Sequence, residues 1–350
     1  MLNGECDMLT QRQGRILQII VGEYISTANP VGSLFLTSKC GLGISSATVR
    51  NDMACLEEEG YILRRHVSGG GIPSDKGYRY FVESLSKDED IPVDEQLMLS
   101  HMFHQVEREL EEWTHLAAAL LARMVHNVAI VTFPKAAESR IKYVELVALQ
   151  ESLAILILLL QEAKLRQHLI AFDEAVSQGE LDAISRELNA LFYGLTWQQV
   201  VAQRAKLSPR GEQVKDALVQ VMASEDEQMY EQPYIEGLRH ILTQPEFEQR
   251  QNLLRIMEVL ESGHIASSLL PEVLVDEGVK VVIGGENREE AMRGCSVVIT
   301  RYGIPGEIGG ALGVIGPTRM PYERSISAVR YMGSLMSNLV SELCGGQRRQ

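Results

Sequence analysis

Between Gly41 and Gly60 the chain reads GLGISSATVRNDMACLEEEG, a stretch holding residue types that read DNA. Arg50 can take a guanine edge through two parallel hydrogen bonds, and Asn51 an adenine edge. Ser45, Ser46 and Thr48, with the free N–H groups of a helix start, can hold phosphate. That chemistry requires a helix, and the spacing supplies one. Val49, Met53 and Leu56 recur at i, i+4 and i+7, which turns one stripe toward a core and leaves the polar set outside. Ser45 is a good N-cap and Gly60 a good stop. Glu57, Glu58 and Glu59 lie at the far end, away from a groove entered by the first half of the helix. A capped helix with a merely solvated polar face would show the same stripe, so the flanking segments decide.

The segment that follows favours DNA. Tyr61 to His66 reads as a strand carrying Arg64, Arg65 and His66, and Ser68-Gly69-Gly70-Gly71 as a hairpin tip. Such a hairpin can touch the backbone or the minor groove. Basic residues on a strand edge also discourage pairing, which is the plainer reading. Upstream, Leu9 to Ser26 has apolar residues near a 3.6-residue period, and Asn29-Pro30 ends that helix. Ser33 can cap a short second helix to about Lys39, with a turn at Gly41-Leu42-Gly43. Ile72-Pro73 resumes an extended path, and Asp75 to Leu85 reads as a closing helix. Three helices followed by a hairpin is the order of a winged helix-turn-helix.

Charge sharpens this. The 350 residues carry a net charge of −14, which argues against nucleic acid until its distribution is examined. Thr10 to Leu85 holds eight Lys or Arg against seven Asp or Glu, a net +1. The first nine residues contribute −2 and the remainder −13. A near-neutral N-terminal domain on an acidic body can bind DNA, provided the acids face away, while the body discourages non-specific adhesion to phosphate.

Other functions find less support. The five cysteines, Cys6, Cys40, Cys55, Cys295 and Cys344, form no CxxC pair and read as reduced and structural. The longest apolar run, Leu153 to Leu160, is too short for a membrane span. Met1 to Leu9 lacks the basic start of a signal peptide, so a cytoplasmic location is expected. Gly69-Gly70-Gly71 before Lys76 misses the phosphate-loop pattern, and Gly284-Gly285-Glu286 follows a strand without making GxGxxG. His101 and His104 have helical spacing for a metal pair but no supporting ligands. No metal, cofactor or catalytic residue is expected.

Beyond a polar linker, Ser86 to Pro92, a long helical stretch spans Val93 to Arg123. Strands are expected near Val128–Phe133, Ile141–Leu149 and Ser152–Leu160, the last buried on both faces. Gly179 to Ser224 and Glu246 to Ser262 return to helix. Strands near Val279–Ile283, Ser296–Thr300 and Leu312–Gly316 precede a helix over Tyr322–Leu343. A strand-rich layer split by a helical block implies an α+β domain with an insertion.

LTQRQGRILQIIVGEYISTANPVGS, GLGISSATVRNDMACLEEEGYI and GIPSDKGYRYFVESL closely resemble the heat-inducible transcription repressor family, HrcA. VKVVIGGENREEAMRGCSVVITRY and GALGVIGPTRMPYERSISAVRYM resemble the same family near the other end. The resemblance runs in order over most of the chain and is weakest over about 171–250. It implies an N-terminal extension (1–8), a winged-helix domain (9–85), a linker (86–92), and a GAF-like α/β domain in two parts (93–172 and 246–344). A mainly helical dimerisation domain (173–245) is inserted between those parts, and a disordered tail (345–350) ends the chain. It also implies a homodimer that represses chaperone operons from an inverted-repeat operator of the CIRCE type. The chaperonin GroEL modulates such repressors, and heat releases them. One departure lies in the wing, where the family pattern HxSAGRxP becomes His66-Val67-Ser68-Gly69-Gly70-Gly71-Ile72-Pro73. An arginine contact to phosphate is then missing at Gly71, with Arg64 and Arg65 expected to compensate. Two other readings remain open at this point: a ligand-sensing regulator of a different operon through the GAF-like domain, and an enzyme in the acidic body.

Overall fold

A computed structural model describes residues 9–39, 45–64, 69–86, 90–106, 109–136, 138–161, 164–227, 233–247, 250–261, 278–305 and 307–347. The chain divides into two compact units. One comprises Met1–Phe133, Gln232–Gly303 and Gly310–Gln350; the other comprises Pro134–Glu231 and Ile304–Gly309.

The larger unit begins with the winged helix. Helix α1 (Gln11–Thr27) opens on a capping box in which the Thr10 hydroxyl accepts from the Gln13 N–H and the Gln13 side chain answers the Thr10 N–H. It ends where Ala28 turns left-handed and donates to the Tyr24 carbonyl, just ahead of Pro30. Helix α2 (Ser33–Lys39) and helix α3 (Ser46–Glu58) follow, then strands β1 (Ile62–Leu63) and β2 (Ile72–Pro73), paired antiparallel, and helix α4 (Asp75–Ser84). Ile16, Leu17 and Ile20 of α1 meet Leu36, Val49, Met53, Leu56 and Ile62 in a small core. Gly60 adopts a left-handed φ of 77° and releases the chain from α3 into β1.

The expected polar linker is anchored: Ile91 is buried and its carbonyl accepts from the Gln96 side chain at 2.8 Å. The single long helix expected over Val93–Arg123 is two, α5 (Val93–Gln105) and α6 (Leu110–Val125), because Val106 is extended. Strand β3 (Val128–Val131) follows α6.

The smaller unit holds strands β4 (Lys135–Ala136), β5 (Ile141–Gln150), β6 (Leu153–Leu160) and β7 (Leu165–Ala171), then helices α7 (Gln178–Phe192), α8 (Trp197–Ala202) and α9 (Pro209–Glu227). Strands β5, β6 and β7 form an antiparallel meander. Its inner face, including Val144, Leu146, Leu156, Leu158 and Ile170, packs with Leu181, Leu188, Val214 and Leu218 of α7 and α9. Asn189 of α7 clamps β5 by accepting from the Val144 N–H at 2.9 Å and donating to its carbonyl at 2.7 Å.

Two expectations are corrected here. Residues 141–171 were assigned to the GAF-like domain, but they fold with the 178–227 helices, because the alternating apolar face of the meander supplies the surface those helices bury. With the meander included, the unit is a three-stranded sheet layered on the expected helices. Strand β6 is also not buried on both faces: burial alternates strictly along it, so one face of the sheet stays open in a single chain.

The larger unit resumes with strand β8 (Tyr234–Glu236), helix α10 (Leu238–Leu242), helix α11 (Arg250–Glu261), strands β9 (Lys280–Ile283), β10 (Cys295–Ile304) and β11 (Ile308–Pro317), whose connecting ends at 304–309 belong to the smaller unit, and helix α12 (Tyr322–Gln347). The strand order is β8-β3-β11-β10-β9, with β8–β3, β3–β11 and β10–β9 paired antiparallel. Helix α12 packs with α6 and runs to Gln347, into the stretch expected to be a disordered tail.

Candidate DNA-reading site

Helix α3 starts as the sequence requires. The Ser45 hydroxyl accepts from the Thr48 N–H at 3.2 Å and sits 3.0 Å from the Thr48 hydroxyl. Both hydroxyls are therefore partly engaged in capping. Ser45, Arg50 and Asn51 are exposed, while Ser46 and Thr48 are half-buried. These five share the open side of α3, and Val49, Met53 and Leu56 take the core side.

Two ion pairs hold the helix. Arg12 of α1 donates from Nε to Asp52 Oδ2 at 2.7 Å and from a terminal nitrogen to Oδ1 at 2.9 Å. Near the C-terminal end Arg64 pairs with Glu57. The Arg64 side chain is only 9% exposed. Its expected role as a phosphate clamp is therefore corrected: in this structure it fastens β1 to the end of α3. Glu57, expected only to lie away from the groove, is its partner. Arg65, His66 and Ser68, expected in the wing contact, lie outside the described residues.

Arg50 does not stand alone. Its Nε lies 3.4 Å from the Ser33 hydroxyl of α2. A groove of about 580 Å³ opens there, lined by Ser33, Leu34, Arg50, Met53 and Arg64 among others. Leu34 is an exposed apolar residue at its rim, suited to a thymine methyl group or a sugar. From sequence Ser33 is expected only as a cap, and Leu34 carries no expectation. An exposed leucine on the first turn of α2 was the available signal.

Gly71 faces the interior. It exchanges backbone hydrogen bonds with Val31 at 2.9 and 3.0 Å, and a Cβ there would meet Ile62 Cδ1 at 3.1 Å and Met53 Cε at 3.3 Å. A side chain at this position starts toward the winged-helix core and not toward an outer phosphate, contrary to expectation. Lys76 is committed elsewhere, donating to the Glu59 carbonyl at 2.8 Å and lying 4.1 Å over the Tyr61 ring.

Residues 40–76 match the DeoR-like helix-turn-helix domain, and residues 111–326 match the HrcA protein C terminal domain. The chain belongs to the HrcA family. It is 46% identical over 338 residues to the heat-inducible transcription repressor HrcA of Dehalococcoides mccartyi, covering 97% of this chain and 98% of that one. It is 42% identical to the HrcA of a Roseiflexus species, covering 96% of each. A crystal structure of a hypothetical protein at 2.2 Å resolution covers 96% of this chain and 99% of its own, with a TM-score of 0.60 and 25% identity. HrcA membership makes the chain a transcription repressor, with its helix-turn-helix as the DNA-binding part. No helix among the described residues is long and apolar enough to cross a membrane.

Proposed function

We propose that the chain works as a cytoplasmic homodimer that occupies an inverted-repeat operator of the CIRCE type before heat-shock chaperone operons, with the chaperonin GroEL as modulator. Arg50 and Asn51 read base edges, and Ser45, Ser46 and Thr48 anchor phosphates beside them. The observation that carries this reading is helix α3, capped, braced at its middle and its C-terminal end, and presenting Arg50 and Asn51 to solvent.

The open face of the β5-β6-β7 sheet supports the homodimer. Val147, Ile155 and Leu169 form one apolar row across the three strands, and Tyr143, Leu159 and Leu165 form another. Glu145, Ile157 and Gln167 lie between them. Four of the apolar side chains, Tyr143, Val147, Leu165 and Leu169, are exposed in the single chain. Contiguous apolar surface of this kind marks an association site. A two-fold dimer places two α3 helices on a two-fold operator. The face belongs to residues 141–171, upstream of the 173–245 segment first expected to dimerise.

The test is an anisotropy titration at fixed physiological salt, comparing a CIRCE-type inverted repeat with a scrambled duplex, with and without chaperonin. Binding about 10³-fold tighter to the repeat supports the reading. Equal weak binding to both, with the dimer verified, refutes it. A titration unchanged by chaperonin removes the chaperonin part alone.

A further inference from the structure

Two motifs left over by DNA reading meet in the larger unit. One is Asp75-Lys76-Gly77-Tyr78-Arg79 on α4; the other is Gly284-Gly285-Glu286 after β9. Asp75 Oδ2 accepts from the Gly285 N–H at 2.8 Å. Arg79, one turn on, donates from Nε to Glu286 Oε1 at 2.9 Å, pairs again with Oε2, and donates to the Val281 carbonyl at 2.8 Å. Glu286 is itself held by the Ile283 N–H at 2.9 Å. A Cβ on Gly284 would lie 2.3 Å from Asp75 Oδ1, and Gly284 has a φ of 51°, so glycine is required on both counts. Beside this, the buried Tyr78 ring lies 5.9 Å from Tyr322, and Arg319 donates to the Ile25 carbonyl at 3.3 Å.

Exposed ion pairs contribute little stability by themselves, so their value here is geometric. Contacts from α1 and α4 reach β9, the turn after it and the start of α12. They fix the winged helix at several points on the body that carries it.

We propose that Asp75, Arg79 and Glu286 are positioning residues for operator recognition: they hold the winged helix at one angle on the β-sheet body and so set which spacing between half-sites the dimer accepts. The inference rests on the dimeric operator reading above. Two rigidly carried reading heads favour one spacing, because the second half-site then binds at high effective concentration. Loosely carried heads accept several spacings, each less well.

The experiment measures full-length protein on a series of inverted repeats whose half-sites are moved apart by single base pairs, and on a duplex with one half-site. The variants are Arg79→Glu, Glu286→Arg, the double reversal, and the milder Arg79→Gln, each checked by melting temperature. Wild type should show one preferred spacing. Each single variant should lower the discrimination between that spacing and its neighbours by about tenfold, with affinity for one half-site nearly unchanged, and the double reversal should restore the preference. A wild-type spacing profile retained in both Arg79→Glu and Arg79→Gln overturns the inference. So does a loss equal at every spacing and on the single half-site. A wild type that does not distinguish the repeat from scrambled DNA overturns the dimeric reading beneath it.

Discussion

Arg12 grips Asp52 through two parallel hydrogen bonds, at 2.7 and 2.9 Å, and so joins the first turn of α1 to the middle of α3. Asp52 is 4% exposed and neighbours Asn51, which faces solvent. The hydrogen bond from Arg12 and the charge of Asp52 hold the guanidinium more firmly protonated than usual. Bidentate pairs fix orientation as well as position.

Asp52→Asn should therefore lower the winged-helix melting temperature and weaken operator binding, because a helix that rocks presents Asn51 and Arg50 less consistently. Calorimetry and an operator titration check this together. Unchanged melting with unchanged affinity would show that the pair does not position α3.

Much of the reading head was legible in the sequence. Ser45, the stripe Val49-Met53-Leu56 and Gly60 fixed helix α3 through local rules that need no tertiary information. What escaped was pairing at a distance. Arg64 looked like a free cation because nothing local says that Glu57, seven residues earlier, folds back onto it. Gly71 looked like a deleted contact because direction depends on the Val31 bridge, forty residues away in sequence. Residues 141–171 were assigned to the wrong unit because a strand's period shows that it has an apolar face, not which helices cover it. Strand β7, LRQHLIA, was missed since only Ile170 of it is buried.

Leu169→Asp places a charge in the apolar row Val147-Ile155-Leu169. Leu169 is 58% exposed, so the folded single chain should tolerate the change. Buried at a dimer interface, the same carboxylate should weaken association by about 2 kcal/mol or more. Sedimentation equilibrium should show dimer shifted to monomer with the melting of the unit little altered. An intact dimer would move the interface elsewhere.

Glu225 is 5% exposed and accepts from Arg166 at 2.9 Å and from Lys164 at 3.3 Å. Burial pushes its carboxyl pKa up, but hydrogen bonds and charge from Arg166 and Lys164 outweigh that and leave it below the ordinary 4.5. A depressed folded pKa contributes stability above the unfolded value and loses it as pH falls through the folded one. Glu225→Gln should cost about 1–3 kcal/mol at pH 7, less than a fully buried pair, because Arg166 remains partly in water. Urea melts should show the gap narrowing below pH 4.5. A gap constant with pH would exclude the ion pair as its source.

The wing glycines should differ sharply. A Cβ on Gly70 would lie 2.6 Å from the Pro30 backbone, whereas the nearest atoms to one on Gly71 are the side-chain tips of Ile62 at 3.1 Å and Met53 at 3.3 Å. Gly70→Ala should cost about 1–3 kcal/mol and Gly71→Ala under about 1.5 kcal/mol. Equal costs in denaturant melts would show that the Pro30 approach is not held in solution.

The central claim is that α3 reads operator bases through Arg50. The most direct measurement is a competition titration of wild type and Arg50→Ala against every single-base substitution of the operator, at one salt concentration. Arg50→Ala should lose about 1–3 kcal/mol of operator binding, together with relaxed discrimination at one base pair in each half-site, symmetrically placed. An equal loss on every duplex, scrambled DNA included, would contradict base reading and leave Arg50 as a phosphate contact.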